Sequence, residues 1–432
     1  MGKLKVSEYR HKYLATDLSN GAVGLFSELE LVLLSLYQDH QIPAMQRLLA
    51  SLGVSTEQSD EVINGFLQRL ERDGWSRAGF SDIMPQPLSS VYLNVTTACN
   101  YRCRYCYQGD HVAPARSGEV MSLEHARSII EAVKSINVDC RVIVSGGEPL
   151  LHPGILGICS LLEESSMSFS VLTNGSCLSD GIAAGLANFD LLKNVQISLD
   201  GMSDKVNRLT RGETYESTMR GISCAVRHKL PFSLAPTIHD GNLDDIVEIA
   251  LFSSRSGGGF TPNNLRRHPQ APVDDLRLSD QYLLSAIKDA EEAILREFGQ
   301  DFLIANKLRT FINGDIAHGH FLCSAGYSLL DIDWNGDIYP CHLLRSELFL
   351  LGNVLHDGFD AAFEMAVRLG IRTMSHEIEK CRSCHVLARC GAGCKAAAFH
   401  AFGEFRREDP LCSVLYQNEL NRLDSGYDKR SQ

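Results

Sequence analysis

Ten of the fourteen cysteines are grouped in a way that suits metal ligation. Cys99, Cys103 and Cys106 lie within the short stretch "TTACNYRCRYCYQG", residues 96–109. Thiolates are soft ligands for zinc or iron–sulfur clusters. A closed zinc site takes four protein ligands, so three thiolates leave one coordination position to something outside this loop. The other seven read Cys323-x12-Gly336-x4-Cys341, then Cys381-x2-Cys384-x5-Cys390-x3-Cys394, then Cys412 after a gap. Taken alone, the run from Cys381 to Cys394 fits a zinc knuckle as well as a cluster site. Cys140, Cys159, Cys177 and Cys224 sit among apolar neighbours and read as small core residues.

Five more stretches could do chemistry. In "SGGEP" (145–149), Gly146 and Gly147 let backbone approach a ligand closely, and Glu148, ahead of Pro149, offers a carboxylate to an ammonium group. "TNG" (173–175) holds Asn174, and "SLD" (198–200) offers the oxygens of Ser198 and Asp200 to ribose hydroxyls or an amino-acid head group. Arg211, in "LTRG", is a candidate carboxylate partner. His342, in "YPCHLL", suits a base of tunable pKa or a hydrogen bonder beside a cluster ligand. A lone "GGEP" is usually a turn and a lone "SLD" a strand end, so position has to decide.

The elements that would position these residues alternate. Strand candidates are 91–95, 141–146, 169–174, 194–200, 232–237 and, weakly, 258–265. Helical stretches at about 122–136, 154–166, 179–188, 215–229 and 243–256 separate them. Repeated strand–helix units imply a parallel sheet with right-handed crossovers, and six units predict an open, partial (β/α)6 TIM-like barrel. In such a barrel chemistry sits on loops at the strands' carboxyl ends. The three-cysteine loop, "SGGEP", "TNG" and "SLD" follow strands one to four, all on that rim. A helix from about 279 to 298 leads into the cysteine-rich region.

Before the barrel, "HKYLATDL" and "AVGLF" flank Asn20-Gly21, a hairpin signal. Ser27 with Glu30 reads as a capping box opening a helix, with two more helices at 43–52 and 57–72 and Gly74 as a stop. "MPQPLSS" reads as a linker. The expected organisation is a winged-helix-like α/β domain over 1–85, the barrel over 86–315 and a cysteine-rich domain over 316–432.

Net charge is 41 − 53 = −12, which disfavours a phosphate-tracking surface and nucleic acid as partner. The N-terminus lacks a signal-peptide run and no apolar stretch is long enough for a membrane span. Ser7 falls one position late for myristoylation. A cytoplasmic location is expected, where disulfides are improbable.

"CNYRCRYC" resembles the CxxxCxΦC signature of the radical S-adenosylmethionine (SAM) superfamily, with Tyr105 at the aromatic position, and "GGEP" resembles its SAM-ammonium motif. The resemblance implies a [4Fe-4S] cluster on Cys99, Cys103 and Cys106 whose fourth iron binds SAM, and a 5′-deoxyadenosyl radical as the working species. It implies cofactor contacts from Tyr105, Gly146, Gly147, Glu148, Pro149, Asn174, Ser198, Asp200 and Arg211. The seven later cysteines resemble the SPASM extension of radical SAM enzymes that modify peptides and proteins, which implies two auxiliary [4Fe-4S] clusters. By that likeness Cys381, Cys384, Cys390 and Cys412 close one. Cys323, Cys341 and Cys394 hold the other with three thiolates.

Sulfatase-maturing relatives carry Asp where this chain has His342, which moves the reading toward the peptide-maturing branch. The N-terminal unit resembles a precursor-peptide recognition element, which captures a leader peptide as an added strand; a DNA-reading winged helix is the alternative. The expectation is a radical SAM peptide maturase that installs a carbon–carbon or carbon–heteroatom crosslink in a ribosomal precursor peptide, served by an electron donor such as flavodoxin or ferredoxin. The alternatives are a maturase of the sulfatase-activating or quinone-cofactor-forming kind, and a non-catalytic iron–sulfur or zinc scaffold that binds peptides.

Overall fold

The computed structural model describes residues 4–17, 22–73, 75, 88–266, 268, 273–276, 280–299, 323–371, 373 and 375–424. Strands β1 (Leu4–Tyr9), β2 (Lys12–Asp17) and β3 (Val23–Phe26) form an antiparallel sheet in that order. The leading strand β1 is absent from the sequence reading because "LKVSEY" mixes charge with few apolar residues. The Asn20-Gly21 turn, Gly74 and most of the 84–90 linker lie outside the described residues.

Three helices follow: α1 (Glu28–Gln38), α2 (Ile42–Ser51) and α3 (Thr56–Arg72). The capping box at Ser27 is formed, with the Ser27 N–H donating to Glu30 Oε2 at 2.7 Å, and Ser55 with Gln58 makes a second one. The helices bury Leu33, Leu34, Met45, Leu49, Phe66 and Leu70 under Phe26 and Trp75, whose rings meet edge-on at 5.4 Å.

The barrel strands are β4 (Ser90–Asn94), β5 (Arg141–Ser145), β6 (Phe169–Thr173), β7 (Leu192–Ile197), β8 (Phe232–Leu234) and β9 (Gly259–Phe260). All adjacent pairs are parallel. Between them run α4 (Leu123–Ile136), α5 (Ile155–Glu164), α6 (Asp180–Leu186), α7 (Tyr215–Arg227) and α8 (Leu243–Arg255), and α9 (Asp280–Phe298) follows. Alternate strand residues such as Val91, Leu93, Val142 and Val144 join Ile129, Val133 and Ile158 of the helices in one buried core. Their strand neighbours turn inward, so Tyr92 and Ser145 reach the barrel lumen.

The sheet does not stop at the sixth strand. Strand β10 (Leu329–Ile332) adds in parallel beside β4, and β11 (Asp337–Tyr339) and β12 (Gly352–Asn353) continue antiparallel. The strand order is β9-β8-β7-β6-β5-β4-β10-β11-β12. The cysteine-rich region is therefore woven into the barrel sheet, and the stretch after its hairpin brings His342 to the cavity. Helices α10 (Gly358–Arg368), α11 (Lys395–Phe402) and α12 (Cys412–Asp424) complete the region. Among the described residues no helix is long and apolar enough to cross a membrane.

Candidate active site

Strand ends β4 to β9 open into one cavity of about 570 Å³. Cys99, Cys103 and Cys106 line it together with Tyr105, Gly146, Gly147 and Glu148, and Asn174, Ser198 and Arg211 complete that end. The cysteine loop is shaped by backbone bonds. The Tyr101 N–H donates to Cys99 Sγ at 3.4 Å, Cys106 N–H to Cys103 O at 3.1 Å and Arg104 N–H to Thr210 O at 2.8 Å. Burial pushes the Cys99 thiol up to about 12 and the Cys103 thiol to about 11, the latter against the pull of Arg211. The thiols carry protons until a metal displaces them.

The two glycines of "GGEP" are required by the close approach of the cysteine loop. A Cβ on Gly146 would lie 2.4 Å from Thr96 O, and one on Gly147 would lie 2.3 Å from Ala98 O. The motif is laced to the cysteine loop, with Gly147 N–H donating to Thr96 O at 2.8 Å and Glu148 N–H to Ala98 O at 2.7 Å. Both glycines also line the cavity.

Glu148 is 1% exposed. Its Oε1 accepts from Thr173 Oγ1 at 2.7 Å and Leu150 N at 3.0 Å, and Oε2 accepts from Asn174 N at 2.7 Å. Burial pushes its carboxyl up, opposed by those hydrogen bonds and by the Arg211 charge. It is a fixed, water-poor acceptor at the floor of the cavity.

Asp200 stands behind the cavity wall. Its carboxylate accepts from Tyr105 Oη at 2.5 Å, Thr210 Oγ1 at 2.8 Å and Thr237 N at 3.0 Å, and it does not line the cavity. Arg211 Nη1 donates to the same Tyr105 oxygen at 2.7 Å. A chain from Asp200 through Tyr105 to Arg211 thus holds a buried guanidinium beside Cys103, with its Nε free of any partner among the described residues. Pro149 opens a short 3-10 turn and also lies outside the lining.

The opposite wall includes residues that the sequence reading did not single out. Tyr92, Tyr107, Asn264 and Arg266 line it beside His342. Arg266 follows β9, so the same strand-end rule could have found it. Its guanidinium pairs with buried Asp409 at 2.7 Å. The His342 ring lies 4.5 Å from Tyr92 and 5.1 Å from Tyr107. Burial, helped by Arg345, lowers its pKa to about 4, so it is a neutral imidazole.

The seven later cysteines separate into two sets. Cys381, Cys384, Cys390 and Cys412 line a small second cavity together. Cys341 instead couples electrostatically to Cys394 and Cys323. Among the described residues no three His, Cys, Asp or Glu side chains are gathered to hold a single metal ion. Cys140, Cys159 and Cys224 are buried in the barrel core, and Cys177 packs against it.

Comparison with known proteins agrees with this geometry. Residues 93–253 match the family model of the radical SAM superfamily, and residues 323–385 match SPASM, an iron–sulfur cluster-binding domain. The chain is 28% identical over 339 residues to mycofactocin maturase MftC of Mycobacterium ulcerans, covering 74% of this chain and 87% of that one. It is 24% identical over 343 residues to the AdoMet-dependent heme synthase of Methanosarcina barkeri, covering 74% and 95%. Among solved structures, Streptococcus suis SuiB bound to precursor peptide SuiA aligns with a TM-score of 0.62 at 14% identity, covering 95% of this chain and 100% of that one. Native anSMEcpe with bound AdoMet aligns with a TM-score of 0.62 at 17% identity, covering 78% and 98%.

Proposed function

Because the chain belongs to the radical SAM superfamily and carries a SPASM iron–sulfur domain, we propose that it is a peptide maturase that installs a carbon–carbon or carbon–heteroatom crosslink in a ribosomally made precursor peptide. The observation that carries this reading is the single cavity lined at one end by Cys99, Cys103, Cys106, Glu148 and Arg211 and at the other by His342, beside the second cysteine cluster. When bound, the [4Fe-4S] cluster and SAM supply a 5′-deoxyadenosyl radical, and the auxiliary clusters supply one-electron chemistry.

This chain's residues do the holding. The three thiols of the 99–106 loop ligate the SAM-cleaving cluster. Glu148 accepts the SAM ammonium, Arg211 takes its carboxylate, and Asn174 and Ser198 face the remaining polar atoms. Asp200 acts through Tyr105. Gly146, Gly147 and Pro149 shape the loop. Cys381, Cys384, Cys390 and Cys412 hold one auxiliary cluster, and Cys323, Cys341 and Cys394 the other. The N-terminal unit, residues 1–85, receives the leader of the precursor. MftC is named a maturase and the SuiB structure contains a precursor peptide, which supports the substrate class.

Anaerobic reconstitution tests the reading. Wild-type protein should hold about twelve irons per chain, four per cubane, and form 5′-deoxyadenosine under dithionite. Replacing Cys99, Cys103 and Cys106 by Ala should leave about eight irons and no cleavage. Co-expression with the neighbouring small open reading frame should give a crosslinked peptide by mass spectrometry. A wild-type protein that binds iron or zinc yet leaves SAM intact would be a scaffold.

A further inference from the structure

Arg266 lies beyond the end of β9, where the chain is still held extended. Residues 263–264 pair in parallel with 237–238, and the Asn263 N–H donates to Pro236 O at 2.8 Å. The Arg266 side chain is 20% exposed and lines the cavity. Its guanidinium bonds through one nitrogen. Nη1 donates to both oxygens of Asp409, at 2.8 and 2.7 Å. Nε and Nη2 make no hydrogen bond among the described residues, and neither is closed off from solvent. Asp409 is 1% exposed and also accepts from the Cys394 N–H at 2.7 Å and the Leu411 N–H at 2.8 Å. A buried carboxylate thus fixes the guanidinium by one end. The Nε–Nη2 edge that remains is the fork that meets a carboxylate with two parallel bonds.

Charge in the cavity is distributed to the same effect. Among the described residues that line it, Arg102, Arg211 and Arg266 are cations and Glu148 is the one Asp or Glu, in a chain of net charge −12. Arg102 donates to the Cys99 and Tyr101 carbonyls, and Glu148 with Arg211 serves SAM. Arg266 is the cation left over. We propose that Arg266 is a subsite for a carboxylate of the precursor peptide, supplied by an acidic side chain or by the peptide's C-terminus. The bond anchors the segment to be modified at the wall that Asp409 ties to Cys394. Arg266 is a specificity-determining residue and moves no proton or electron. The inference rests on the peptide-maturase reading and names the anionic group its substrate presents.

The test is steady-state kinetics of the reconstituted full-length enzyme with the peptide encoded by the neighbouring small open reading frame. That peptide is used unaltered, with a C-terminal amide, and with each Asp or Glu changed singly to Asn or Gln. Loss of a charged hydrogen bond should lower kcat/KM about ten- to a hundred-fold for one of the altered peptides, and which one separates side chain from C-terminus. R266Q should lower kcat/KM for the unaltered peptide by a similar factor and be insensitive to that same change, because both losses remove one contact. R266K keeps a charge against Asp409 without the fork and should fall between. Equal losses by R266Q on the carboxylate and amide forms would make Arg266 a tie to Asp409 alone and overturn the subsite. Wild-type enzyme that modifies all the peptides alike overturns it too, with no variant required to fold. Wild-type enzyme that cleaves SAM and leaves even the unaltered peptide unmodified overturns the maturase reading, and the inference with it.

Discussion

Glu148 is buried with its carboxylate accepting from Thr173, Asn174 and Leu150, so Gln there removes a charge and turns one acceptor into a donor. A charged hydrogen bond contributes about 1.5–3 kcal/mol, so SAM affinity in E148Q should fall about ten- to a hundred-fold by calorimetry. The new amide also faces donors it cannot satisfy, at a cost of about 1–3 kcal/mol, so the melting temperature should drop as well. Unchanged affinity with a lowered Tm would leave Glu148 a purely architectural residue. His342 gives a second prediction. With its pKa lowered to about 4, the imidazole stays neutral as pH falls through the ordinary histidine range. Product formation should therefore show no acidic limb between about pH 5 and 7 that disappears in H342Q. Such a limb, lost in the variant, would make His342 a base of ordinary pKa.

At the scale of elements, the strand-end loops hold one another in register. The "GGEP" turn fits against the cysteine loop only because Gly147 lacks a Cβ, which would meet backbone atoms of Thr97 and Ala98 within 2.7 Å. Backbone cannot swing aside as a side chain can. Gly147→Ala should displace the 99–106 loop, lose about four irons and abolish SAM cleavage while the auxiliary iron remains. Gly181→Ala in α6 is the control, since its methyl would meet only Ser179 Oγ at 4.0 Å and improves helix propensity by up to about 1 kcal/mol. Full iron in Gly147→Ala would show that the two loops adapt independently.

Across the whole molecule, the N-terminal sheet has two buried faces. Ala15, Gly24 and Phe26 turn toward the three helices. Leu14, Val23 and Leu25, on the opposite face, pack with Val386 and Leu420 of the cysteine-rich region, against Cys384 and Cys390. Thr16 and Ser7 hydroxyls lie 2.7 and 3.1 Å from the two ring nitrogens of His385, and Lys5 Nζ donates to Ser383 O. The unit proposed to receive the leader is thus seated on the loop that carries two of the cysteines proposed to hold an auxiliary cluster. Burying each such Leu or Val contributes about 1.5–3 kcal/mol, so removal exposes a cohesive patch. Deleting residues 1–80 should leave SAM cleavage intact, abolish modification of the precursor and raise hydrogen exchange across 384–390. Exchange that stays at the full-length level would mean that the cysteine loop stands by itself.

Local pattern was enough to determine the barrel, because strand–helix alternation and strand-end loops are written in near-neighbour spacing. The sequence by itself put Cys99, "GGEP", "TNG" and "SLD" on one rim, whereas the grouping of the seven later cysteines into four and three came only from the resemblance to SPASM. The sequence also carried an unread signal in "YLATDL" and "AVGLF", whose consecutive apolar residues, rather than alternation, mark strands buried on both faces. Only the tertiary structure decided what meets across long separations. It placed Asp200 behind Tyr105, joined 329–332 to the barrel sheet beside β4, and brought Arg266 to Asp409. These contacts depend on which solvent-poor surfaces are pressed together, and periodicity along the chain holds no record of that.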